Sequence, residues 1–220
     1  MTEPGATRVV PDDAAGRAAA IEALGGGAVV GLPTDTVYGI GVALGTPGGV
    51  ERLFAAKERP PEKAIMVLAD GPDQVETVVE WPPAARVLAA LWPGGLTLVL
   101  PLRPAAPIPP ALTAGTRTLG VRIPDHPTPR ALARALGPLP TTSANRSGEP
   151  SALSAQEVAT SLRGRVALVL DGGPSRGGTA STVVDCSVRR PTILRPGAIA
   201  AQRLAALLDE SGIEHSLVGR

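Results

Sequence analysis

The run AVVGLPTDTVYGIGVAL, residues 28–44, decides how this chain is read. Residues 28–32 are small and branched apolar side chains, the signature of a short buried strand. Residues 40–44 repeat that signature, and only the loop from Pro33 to Gly39 lies between. Two strands joined without a helix break strict βαβ alternation, so the fold class is α/β with a twisted mixed β-sheet and helices on both faces. Thr34, Thr36 and the chain's single tyrosine, Tyr38, follow directly on the first strand. These groups read equally as a turn satisfying its own backbone or as a rim that hydrogen-bonds a small polar substrate.

The pattern continues on either side. Asp12 and Asp13 cap an Ala-rich helix that stops at the glycines 25–27. Pro47-Gly48-Gly49 opens a helix that ends near Arg59, because Pro60-Pro61 cannot continue it. Strands are expected at 64–69, 96–100, 118–123, 139–143, 166–171, 181–186 and 192–195. Helices are expected at 72–80, 83–91, 128–136, 200–208 and from Ser154 to about Leu162, where Ser154 and Glu157 form a capping box. The Pro-rich residues 101–115 read as an ordered surface loop. No repeat or long linker interrupts the 220 residues, which are read as one domain with its core at about 8–210.

Composition removes several functions. Aromatics are only 2% of the chain, so stacked-base binding of single-stranded nucleic acid has no platform. The net charge of +1 offers no general attraction to polyanions, so phosphate binding needs a local cluster. One cysteine, Cys186, excludes an internal disulfide, and with two distant histidines, His126 and His215, it argues against a protein-held metal. No signal segment or membrane-length apolar run occurs, so a cytoplasmic location without membrane contact is expected. Of 21 basic residues only Lys57 and Lys63 are lysine, seven positions apart by inclusive count. A compact ammonium suits a phosphate or carbamate at such a place.

Polar residues gather at four further places. Lys57, Arg59 and Lys63 follow a helix end, where cations suit the dipole but could equally clamp a triphosphate. Arg122 is written into an apolar strand beginning at Thr118. On an edge strand it would point to water, whereas in the sheet interior it would need an anion such as a substrate carboxylate. Residues 141–151 carry Thr141, Ser143, Asn145 and Ser151, more donors than a helix start needs. Residues 171–182 are glycine-rich but precede a strand, so neither a P-loop nor a dinucleotide fingerprint fits.

In this order the segments LPTDTVYG (32–39), KERP (57–60), WPGGLT (92–97), VRIP (121–124), SANRSG (143–148), STVVD (181–185) and RPG (195–197) resemble the L-threonylcarbamoyladenylate synthase, or YrdC-type, family over roughly residues 8–210. The resemblance implies a short, single-domain YrdC-like form with a concave positive cavity. It implies condensation of L-threonine, bicarbonate and ATP, with Mg2+, to threonylcarbamoyl-AMP and pyrophosphate. Other proteins would then pass the group to the adenosine 3′ of the tRNA anticodon. By motif position, Lys57, Arg59, Ser143 and Asn145 would be catalytic and hold ATP, with Lys63, Thr118, Ser151 and Arg195 as further ATP contacts. Thr36, Arg122, Thr141 and Ser181 would hold threonine, and no protein metal ligand is implied. Two positions depart from the family pattern. Lys63-Ala64 stands where many relatives have Asn-Pro, and Leu68 stands where many have His, so that threonine contact is lost or made elsewhere.

Other functions stay open at this level. A YrdC-like module can make carbamoyl-adenylate without threonine, and a non-catalytic RNA-binding role would use the same cations. A hydrolase built on Ser143, His126 and Asp125 lacks the Gly-x-Ser-x-Gly elbow.

Overall fold

A computed structural model of the chain describes residues 7–217. Its strands are β1 (Arg8–Pro11), β2 (Val30–Leu32), β3 (Gly39–Gly41), β4 (Met66–Leu68), β5 (Leu96–Pro101), β6 (Thr118–Arg122), β7 (Leu139–Ser143), β8 (Leu168–Asp171), β9 (Thr182–Asp185) and β10 (Thr192–Arg195). Its helices are α1 (Ala14–Gly25), α2 (Gly49–Lys57), α3 (Asp73–Glu76), α4 (Pro83–Leu88), α5 (Pro127–Leu136), α6 (Ala155–Ser161) and α7 (Ala201–Glu210).

All ten strands join one sheet in the order β1-β8-β2-β3-β7-β4-β6-β5-β9-β10. The β1/β8, β2/β8, β4/β6 and β5/β9 pairs are parallel, and the other neighbours are antiparallel. The expected mixed sheet is therefore present. β6 lies inside it, between β4 and β5, so Arg122 is not on an edge.

Strand periodicity sends alternate side chains to opposite faces, and here the two faces are used differently. Val67, Leu96, Leu98, Leu119, Val121, Val169 and Val184 enter one core with Leu53 of α2, Leu88 of α4, Val158 of α6 and Leu204 of α7. Val30, Leu32, Leu68, Leu139, Leu168 and Leu170 enter a second core with Ala20 and Leu24 of α1 and Leu132 of α5. β5, β6 and β9 contribute no residue to the second core. Their alternate positions on that face instead carry Thr97 and Val99, Thr118, Gly120 and Arg122, and Val183, which line a recess.

Two expectations for the elements fail, each for a visible reason. β1 lies outside the strands read from sequence, because Val9 and Val10 between Arg8 and Pro11 are too short a run to show a period. The helix expected at 72–80 is only α3. Past it, Thr77 and Val78 form a turn, Val79 makes a single bridge to Leu102, and the Glu80 amide donates to the Pro101 carbonyl at 2.8 Å, so the β-branched residues end the helix. The Pro-rich loop is irregular as expected but not wholly superficial. Leu112 is buried, and its carbonyl accepts from the Ile65 amide at 2.8 Å.

Candidate active site

The recess has a volume of about 400 Å³, within the range of small-molecule sites. Eight of the residues singled out from sequence line it: Thr36, Arg59, Thr118, Arg122, Thr141, Ser143, Ser181 and Arg195. They come from the loop after β2, the end of α2, and strands β6, β7, β9 and β10 or their margins. Arg122 faces the recess because its apolar neighbours Val121 and Ile123 are taken by the opposite core.

Arg122 lines the recess from inside the sheet. Its side chain is 3% exposed, and Nη2 lies 2.5 Å from Asp35 Oδ1. Nε donates to the Gly94 carbonyl at 2.9 Å, and Nη1 to Thr36 Oγ1 at 2.8 Å. Burial alone would push the guanidinium down from its ordinary value, and Asp35 opposes this. The anion that the buried Arg needs is thus already supplied by the chain. Three of its five N–H donors are committed, which leaves two for a substrate.

Arg59 and Arg195 line the same recess without such compensation. Arg59 Nε and Nη2 donate to the carbonyls of Lys63 and Ala64 at 2.9 and 2.7 Å. Arg195 Nη2 donates to the Ser181 carbonyl at 2.8 Å and to Ser181 Oγ at 3.1 Å. Among the described residues neither forms an ion pair with a carboxylate, and neither does Lys57. Burial and then Arg195 lower the Arg59 pKa, and burial lowers that of Arg195. Carbonyl oxygens orient such groups but leave their net charge in place.

Lys57 and Asn145 stand one layer behind the lining. Lys57, the last residue of α2, is buried, and its Nζ meets the Ser143 carbonyl at 2.6 Å and Ser143 Oγ, the Asn145 carbonyl and Asn145 Oδ1 at 3.0 Å each. Asn145 Nδ2 donates to the carbonyls of Arg146 and Glu149 at 2.8 and 2.7 Å, which shapes the loop after β7. The Ser147 amide closes that loop onto the Lys57 carbonyl at 3.1 Å. Burial, then Arg59 and Arg195, push the Lys57 ammonium down to about 7.

Two expected contacts stand apart from the recess. Lys63 is exposed, and its backbone carbonyl is what Arg59 uses. Ser151 lines a separate shallow depression beside Ser154 and Glu157. His126 caps α5, with Nδ1 accepting from the Thr128 amide at 3.2 Å, and is not among the lining residues, so no base is offered to Ser143. Leu68 lines the recess and supplies only an apolar surface there.

Two other contributors, Asp35 and Thr97, were not singled out from sequence. Asp35 neutralises Arg122, and Thr97 contacts Ser181, with the two hydroxyl oxygens 2.8 Å apart. A hydroxyl interrupting an apolar strand was the available signal for Thr97, the same signal that exposed Arg122. Tyr38 ties down the glycine-rich loop, donating to the Gly173 carbonyl at 2.7 Å while accepting from the Gly172 amide at 3.2 Å. That loop presses on the Thr36 segment at Gly177, where a Cβ would lie 2.5 Å from the Asp35 carbonyl oxygen. In the loop from Pro33 to Gly39, Thr34 closes the turn while Thr36 faces the recess.

The Sua5/YciO/YrdC family model, described as "Telomere recombination", matches residues 22–197. A threonylcarbamoyl-AMP synthase of Bacillus subtilis is 39% identical over 192 residues, covering 86% of this chain and 55% of that protein. One of Pseudomonas syringae is 36% identical over 173 residues, covering 78% of this chain and 91% of that one. The crystal structure of Pyrococcus abyssi Sua5 complexed with L-threonine superposes with a TM-score of 0.86 at 33% identity, over 96% of this chain and 62% of that chain. The chain thus spans a little over half the length of the Bacillus relative and under two thirds of the Pyrococcus one.

Proposed function

The chain belongs to the Sua5/YciO/YrdC family, and from that premise we propose that it makes threonylcarbamoyl-AMP from L-threonine, bicarbonate and ATP. The observation that carries this reading is the division of charge in one recess. Lys57, Arg59 and Arg195 lack carboxylate partners among the described residues, whereas Arg122 is neutralised by Asp35. A triphosphate suits the uncompensated cations, and a zwitterionic amino acid suits the neutralised Arg122.

The threonine amine adds to CO2 derived from bicarbonate and loses a proton, giving a carbamate. One carbamate oxygen then bonds to the α-phosphorus of ATP as the bond to pyrophosphate breaks. The carbamate is already ionised, so no side chain need act as a base at that step. Arg59 and Arg195 lie where they can offset the crowding of carbamate and triphosphate. Ser143 can donate its hydroxyl proton to a phosphate oxygen, because Lys57 occupies its lone pair. Positioning and fixed charge supply most of the rate in such a site. Mg2+ would ride on the triphosphate, where it neutralises phosphate charge. Glu62 is the carboxylate among the described lining residues, a donor set too sparse for a protein-held site. We further read the chain as one domain acting in the cytoplasm, with tRNA reached through other proteins that take up the adenylate. The single sheet spanning the described residues supports the first of these.

Pyrophosphate release, with each substrate omitted in turn and the product weighed by mass spectrometry, tests the reaction. Release should require all three substrates and yield threonylcarbamoyl-AMP. Release with carbamoyl phosphate in place of threonine would assign a carbamoyl-adenylate enzyme instead. Strongly salt-dependent tRNA binding without turnover would assign an RNA-binding role.

Lys57 also predicts a proton linkage. With its pKa near 7, the free protein at pH 8 holds it mostly neutral. Bound phosphate raises that pKa, so the site takes up about one proton at pH 8 and almost none at pH 6, where the lysine is already charged. Calorimetry of ATP binding in buffers of differing ionisation enthalpy reads this directly. The uptake should vanish in Lys57→Met, and its absence from the parent at pH 8 would rule the linkage out.

A further inference from the structure

We propose that Thr34 and Thr97 are positioning residues that lock the hydroxyls of Thr36 and Ser181 as hydrogen-bond acceptors, and that this fixed polarity selects an amino acid bearing a side-chain hydroxyl. The inference rests on the reading of the recess as an amino-acid site and adds what sets its selectivity.

Each hydroxyl has one proton to donate, so its commitments can be followed. The Thr34 hydroxyl donates to the Val37 carbonyl at 2.7 Å, and its oxygen accepts from the Thr36 amide at 3.1 Å. Its proton is therefore committed. The 3.0 Å contact between the two threonine oxygens must then be a donation from Thr36 to Thr34. Thr36 Oγ1 also accepts from Arg122 Nη1 at 2.8 Å. What it can still offer a ligand is a lone pair.

The second chain is independent of the first. A thioether cannot donate, so the 3.3 Å contact of Thr97 Oγ1 with Met66 Sδ uses the Thr97 proton. Ser181 consequently donates to Thr97 across 2.8 Å, while Arg195 Nη2 donates to Ser181 Oγ at 3.1 Å. The opposite direction would face oxygen and sulfur lone pairs at 3.3 Å in a site where Thr97 is 2% exposed. Ser181 thus also turns a lone pair to the recess.

A substrate hydroxyl can give its one proton to either acceptor. Valine, nearly the same shape as threonine, leaves them desolvated and unpaired, and a site built to hydrogen-bond a substrate discriminates strongly against such an analogue. Replacing Thr34 or Thr97 by valine frees the Thr36 or Ser181 proton to turn toward the ligand, so the fixed polarity is lost although no contact residue has changed.

The test is calorimetric binding of L-threonine and L-valine, in the presence of ATP, to the parent chain, Thr34→Val, Thr97→Val and the serine variants at both positions. The parent should prefer threonine by roughly 100-fold. Each valine variant should lose about tenfold of that preference, and the serine variants should restore it because they keep the hydroxyl. Met66→Leu removes the terminal acceptor without touching a hydroxyl and should lower the preference as Thr97→Val does, so the second chain stays testable if Thr97→Val fails to fold. A parent that prefers threonine while the folded variants keep its full preference overturns the polarity inference alone. A parent that binds ATP but neither amino acid overturns the amino-acid reading and this inference with it.

Discussion

Replacing Arg122 with alanine should lower the stability of the folded chain by about 3–5 kcal/mol, the effect of breaking a buried ion pair from one side. The Arg122 side chain is 3% exposed and that of Asp35 17%, so the carboxylate left behind would have little access to water. The substitution also strands the Gly94 carbonyl and frees Thr36 Oγ1. Lysine should rescue poorly, because one ammonium cannot reproduce a planar fork that reaches three partners in three directions. Adding Asp35→Asn to Arg122→Ala should recover part of the loss by removing the unpaired charge, which a double-mutant cycle measures. Threonine dependence should weaken in every variant that lacks the guanidinium. A fall of under about 1 kcal/mol in denaturant unfolding of Arg122→Ala would mean that the pair is effectively solvated.

The second large effect concerns Lys57. Lys57→Ala should lower kcat/KM for adenylate formation by roughly 30- to 1,000-fold, or about 2–4 kcal/mol of transition-state stabilisation. Nζ holds four oxygens of Ser143 and Asn145. Its loss therefore removes charge from behind the phosphates and loosens the hydroxyl and loop that face them. Lys57→Met keeps the buried stem and should lose activity to a similar extent with less damage to folding. Arg59→Ala should fall in the same range through lost charge at the lining itself. Near-normal turnover by a folded Lys57→Met would end the electrostatic role given to this residue.

The two clusters differ in how far sequence could read them. Arg122 is conspicuous because an apolar strand gives it no local partner, and only its place at the edge or in the interior of the sheet decides whether it needs one. Its actual counter-ion, Asp35, sits 87 positions away, and no local pattern joins the two. Lys57 stood out by residue type, yet it was expected among the lining groups. Only the packing of the α2 end against the loop after β7 puts it behind Ser143, with Asn145 as its acceptor. Lys63 and Ser151 carry the right chemistry but are not among the lining residues: Lys63 is exposed between Glu62 and Ala64, which do line the recess, and Ser151 lines a separate depression.

Local order along the chain was sufficient for the mixed α/β class, most of the strands, and the family, because apolar periodicity and ordered motifs are properties of neighbouring residues. It missed β1 and overextended α3, where short or β-branched runs are settled by the partner strand they meet. The tertiary structure alone decided which face of β5, β6 and β9 stays uncovered, which cations keep their charge, and which way each buried hydroxyl donates. Those outcomes depend on desolvation and on single protons shared between groups brought together from opposite ends of the chain, and such quantities do not exist until the sheet has closed around them.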